Sequence, residues 1–69
     1  MKVQYVEDLI AESGKSKTVL AKRLGISRAN FYNKLKGSVA FKADEFIVLM
    51  DEVGVTSIEK IRDILEGND

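Results

Sequence analysis

Between Ser27 and Lys36 the chain carries Arg28, Ala29, Asn30, Tyr32 and Asn33, side chains with planar hydrogen-bonding edges or a small apolar surface. An arginine guanidinium fits O6 and N7 of guanine as a fork, an asparagine amide fits N6 and N7 of adenine, and an alanine methyl can lie against the thymine methyl. Each good bidentate pair discriminates against the wrong base by roughly 1–3 kcal/mol. Other chemistries lack their residues. The 69 residues include no cysteine and no histidine, which removes disulfides, thiolate metal sites, the usual zinc ligands and any histidine-dependent triad. The pairs Asp44/Glu45 and Asp51/Glu52 stand seven apart on one helix without a partner cluster. Helix-dipole and solubility roles account for them better than magnesium does. The expectation is a protein that is not an enzyme and holds no metal or cofactor.

The elements that must position these residues are helices. Val6, Leu9 and Ile10 mark a first helix from about Lys2 to Glu12, closed by Ser13-Gly14. Ser16 caps a second, Lys17 to Leu24, with Leu20, Ala21 and Leu24 inward. Ser27 caps a third, Arg28 to Lys36, whose buried pair is Phe31 and Leu35 and which Gly37 stops. A fourth covers about Ala43 to Val53, with Phe41 and Phe46 spaced as a hydrophobic staple around Lys42. Thr56-Ser57-Ile58-Glu59 reads as a capping box with Thr56 as the cap, opening a fifth helix that ends at Gly67. The fold class expected is all-α, a compact five-helix bundle forming one domain over residues 1–69. No apolar run approaches the roughly 20 residues of a membrane span, and the stretch Met1-Lys2-Val3-Gln4-Tyr5 lacks the apolar run and small-residue cleavage site of a signal peptide. A cytoplasmic protein without a membrane partner is expected.

Net charge is zero, but its distribution is uneven. From Ser13 to Ala43 the chain carries Lys15, Lys17, Lys22, Arg23, Arg28, Lys34, Lys36 and Lys42 and no carboxylate, while all eleven carboxylates lie in the flanks with only Lys2, Lys60 and Arg62. A central +8 against flanks of −8 suggests one face for a polyanion and acidic surface elsewhere.

The segment Lys17 to Leu35 puts two short helices about three residues apart, so their axes must cross steeply. A small residue, Ala21, allows the close approach. Gly25 tolerates the turn, and Phe31 anchors the second helix to the first. With this spacing, and with the stretch Leu24-Gly25-Ile26-Ser27-Arg28-x-x-Phe31-x-Asn33-Lys34-Leu35-x-Gly37, the chain resembles the Cro/CI repressor-type helix-turn-helix family, in particular its small phage-type regulators. The resemblance spans nearly the whole chain. It implies a lambda-repressor-like bundle with the motif on helices two and three. It also implies a bacterial or phage-encoded transcriptional regulator, Cro-like and repressing, that binds a double-stranded DNA operator. Two positions depart from the family pattern: Lys34 stands where many members have a buried aliphatic, leaving Leu35 to take over that packing, and Lys17 replaces a common glutamine.

In that family the N-terminal part of helix three enters the major groove, which implies base-reading roles for Arg28, Ala29, Tyr32 and Asn33. At about 100° per residue, Ala29, Asn33 and Lys36 lie opposite the buried pair. Arg28 reaches the groove from the first turn. Phosphate contacts fall to Ser16 and Lys17 at the start of helix two, to the capping hydroxyl of Ser27, and to Lys36, Ser38 and Lys42 around the following loop. Lys22 and Arg23 could equally solvate the back of helix two. One reading helix covers about four or five base pairs, and relatives bind half-sites about one turn apart. A weak C2 homodimer is therefore expected, through Val55, Ile58, Ile61 and Leu65. No small-molecule effector is expected. Two alternatives stay open: a protein-interaction module of the same shape, such as an antitoxin-like partner, and the N-terminal DNA-binding half of a longer repressor. The opening Met1 and polar end favour a whole small protein.

Overall fold

The structure, a computed structural model, describes residues 1–68 and contains five helices and no strand among them. They are α1 (Val3–Ser13), α2 (Lys17–Leu24), α3 (Arg28–Lys36), α4 (Ala43–Glu52) and α5 (Ile58–Glu66). The limits of α2 and α3 are those expected. α1 is displaced by one residue, with Lys2 as its cap, and α4 stops one residue early at Glu52. No helix among the described residues is long and apolar enough to cross a membrane.

The caps explain the sharp ends of the middle helices. Ser16 Oγ accepts from the Val19 N–H at 3.1 Å and Ser27 Oγ from the Asn30 N–H at 3.1 Å, each satisfying one of the free amides of a first turn. Gly25, at φ 74°, takes the left-handed conformation that ends α2. Ile26 then donates its N–H back to the Ala21 carbonyl at 3.1 Å, so only Gly25, Ile26 and Ser27 separate α2 from α3.

At α5 the start differs from the expected frame. Ser57, not Thr56, is the cap, its hydroxyl accepting from the Lys60 N–H at a long 3.4 Å. The helix therefore begins at Ile58, and its inward residue is Ile64, while Ile58 and Leu65 face outward.

One core joins all five helices: Val6 and Ile10 of α1, Leu20 and Ala21 of α2, Phe31 and Leu35 of α3, Phe46, Leu49 and Met50 of α4, and Ile64 of α5. Val55 belongs to it too, at 7% exposure, with its N–H donated to the Met50 carbonyl at 2.8 Å. The turn after α4 folds it inward, so most of its side chain is taken up by the core. Phe41 packs edge-on to Phe31, centroids 6.3 Å apart, and against Phe46 at 5.7 Å, so the aromatic staple also ties α3 to α4. Burying a phenylalanine side chain is worth about 1.5–3 kcal/mol. Lys2 fastens the chain ends, donating its N–H to the Ile64 carbonyl and pairing its ammonium with Asp63, both at 2.9 Å.

Candidate nucleic-acid interface

α3 turns three of its nine residues inward. Phe31 and Leu35 are buried as expected, and Lys34 is buried with them, at 7% exposure. The opposite surface follows from that anchoring. Arg28, Ala29 and Asn30 are exposed, as is Lys36, while Tyr32 and Asn33 are half-buried along its flanks. Of the four expected base readers, Arg28 and Ala29 stand fully outward. Tyr32 is engaged within the protein: the Lys17 ammonium lies 5.0 Å and the Arg28 guanidinium 5.5 Å from its ring centroid. An aromatic face attracts cations at such distances, so Tyr32 links the start of α2 to the first turn of α3.

The groups expected at phosphates lie around this surface. Ser16 and Ser27 are exposed at the N-termini of α2 and α3. Each capping oxygen already accepts a backbone N–H, which leaves its hydroxyl proton for an outside acceptor. Ser38, exposed, follows α3 in a turn that the Asn33 carbonyl organises by accepting from the Ser38 N–H at 3.0 Å. Lys42 is exposed and opens α4.

The electrostatics correct the sequence reading. Four of the eight central cations are met by carboxylates from the flanks. Lys15 and Arg23 share Glu52, at 3.1 and 3.7 Å, and Lys17 pairs with Glu7 at 3.0 Å. Lys34 pairs with Glu45 inside the protein. The four that form no salt bridge among the described residues are Lys22, Arg28, Lys36 and Lys42. The uncompensated positive charge of α3 thus sits at its two ends, not along the whole central segment.

The Lys34–Glu45 pair escaped the sequence reading. Glu45 is 9% exposed and also accepts the Lys42 N–H at 2.9 Å. The hydrogen bond from Lys34, then that from the Lys42 amide, holds the Glu45 carboxyl below its ordinary value of 4.5, against the opposing effect of burial. The pair locks the last turn of α3 to the first turn of α4. Its signal was present: Lys34 stands three residues after Phe31 and one before Leu35, on the inward stripe itself.

A second surface is apolar. Ile47 and Val48 of α4 are exposed beside Ile58, Ile61 and Leu65 of α5, and together they line a shallow groove between the two helices. Ile58 is 65% and Ile47 50% exposed. All four expected dimer residues line this groove, Val55 with only its small exposed remainder, joined by two from α4 that the sequence reading left out. No group of metal-capable side chains gathers among the described residues. No family model, curated protein or solved structure matches the chain.

Proposed function

We propose that the chain is a sequence-specific double-stranded DNA-binding protein, a transcriptional regulator of the repressing kind, in which α2 and α3 act as a helix-turn-helix and α3 enters the major groove. The observation that carries this reading is the outer surface of α3: a capped helix, pinned from behind by Phe31, Lys34 and Leu35, that offers Arg28, Ala29 and Asn30 without a carboxylate partner and has Lys36 and Lys42 beyond its end. Arg28 would read guanine and Asn33 adenine, and Ala29 would meet a thymine methyl. Ser16, Ser27, Lys36, Ser38 and Lys42 would hold phosphates.

The chain carries a single α3, whereas half-sites on successive turns of DNA lie roughly 34 Å apart. A two-half-site operator therefore needs two copies, and the apolar groove of Ile47, Val48, Ile58, Ile61 and Leu65 is the surface on which they would meet as a C2 pair. Selection of bound duplexes from a random pool tests the reading. An enriched motif, palindromic about a dyad, is expected, and failure to enrich any motif would overturn it.

The same groove supports a second reading, a module whose partner is another protein. That reading expects no salt-dependent retention of a duplex, because counterion release accompanies phosphate contact.

A further inference from the structure

Lys17 stands where a phosphate contact is expected, yet its ammonium is already held. Nζ lies 3.0 Å from one carboxylate oxygen of Glu7 and 3.2 Å from the other, and beside the Tyr32 ring. Glu7 comes from α1, an element with no other place in the interface. We infer that Glu7 is an internal competitor for DNA: its carboxylate occupies the acceptor position on Lys17 that a backbone phosphate would take, and so sets the affinity of the interface without touching the duplex. The inference rests on the DNA-binding reading above.

Three observations carry it. Carboxylate and phosphate both accept charge-assisted hydrogen bonds from an ammonium, so one can replace the other. The pair is open to exchange, its side chains 29% and 33% exposed, whereas those of Lys34 and Glu45 are 7% and 10% exposed and closed to a ligand. Finally, Lys17 is the first residue of α2, where free amides and the helix dipole favour an anion. No acidic residue of α2 itself supplies one. Glu7 brings the negative charge in from α1, and a phosphate would bring it from outside. Through Tyr32, which borders both Lys17 and Arg28, the site adjoins the leading base reader.

The test measures binding of one pool-selected duplex over about 50 to 300 mM salt for the wild type, Glu7→Gln, Lys17→Met and the double variant, with melting temperatures recorded beside. Glu7→Gln is expected to tighten binding about three- to tenfold at the low end and to steepen the salt slope by about one phosphate. Lys17→Met uncovers the Glu7 charge and should weaken binding no more than about threefold in the wild-type background, and it should abolish the gain in Glu7→Gln. Glu12→Gln, an equal change in charge at an exposed α1 residue with no salt bridge among the described residues, should reproduce less than half of the effect. Unchanged or weaker binding by Glu7→Gln, a gain that survives Lys17→Met, or a tenfold loss from Lys17→Met alone would each overturn the inference. The last comparison holds even if Glu7→Gln folds poorly. Loss of this inference leaves wild-type binding salt-dependent, whereas a wild type that binds no duplex removes the proposed function as well.

Discussion

Arg28 and Lys34 show how differently two cations in one helix are used. Arg28 is exposed in the first turn of α3, with only the Tyr32 ring near its guanidinium. Arg28→Ala should cost about 1–3 kcal/mol of binding to the preferred duplex and relax preference at a single base pair, measured by comparing duplexes that differ at that position. Lys36→Ala and Lys42→Ala should instead weaken binding to all sequences alike. Lys34 works inward. Removing only its charge, as Lys34→Met, leaves Glu45 buried without its counter-ion. Lys34→Met with Glu45→Met removes both charges and should therefore melt higher than Lys34→Met alone. The pair also ties stability to pH. A carboxylate whose folded pKa lies below its unfolded value contributes fully above the unfolded value, and the contribution fades as pH falls through the folded one. Below about pH 4.5, the melting temperature of the wild type should therefore fall more steeply than that of Glu45→Gln.

At the scale of the elements, the sequence shows α2, the turn and α3 to the residue, because each boundary there has its own local cause. Serine caps and glycine stops act within one turn and depend little on the rest of the fold. Ser27→Ala should cost about 1 kcal/mol. Gly25→Ala should cost about 1–2 kcal/mol, since a Cβ there would meet nothing within 4 Å and the penalty is the left-handed backbone alone. Urea denaturation checks both. Where two neighbours compete for one role, local signals fail. Thr56 and Ser57 can each cap a helix, and Ser57 takes the role. Val55 read as surplus beside α5 because a turn residue carries no helical period to show which way it points. Lys34 lay on the apolar stripe, but only the arrival of Glu45 from α4 makes its burial tolerable, and sequence spacing does not show that meeting. The anchors Phe31 and Leu35 placed Ala29 and Lys36 outward as the structure has them, but Asn33, expected on the same face, is half-buried, because Lys34 beside it is a third inward residue.

For the molecule as a whole, charge segregation along the chain overstated the basic surface. Folding brings Glu7, Glu45 and Glu52 onto Lys17, Lys34, Lys15 and Arg23, and what remains positive clusters around the ends of α3 and on α2. The apolar groove of α4 and α5 has its own test. Ile58→Glu should abolish self-association in sedimentation while lowering the melting temperature little, because Ile58 is largely exposed. A variant that still dimerises would move the interface elsewhere.

The most direct measurement of the central claim is the affinity of the wild-type chain for a pool-selected duplex as a function of salt concentration. With Arg28, Lys36 and Lys42 available around α3, each protomer should lose affinity with a log–log slope of about −2 to −4, at roughly −0.9 per neutralised phosphate. A flat dependence, or no binding at about 50 mM salt where such contacts are strongest, would contradict the reading of α3 as a helix that enters DNA.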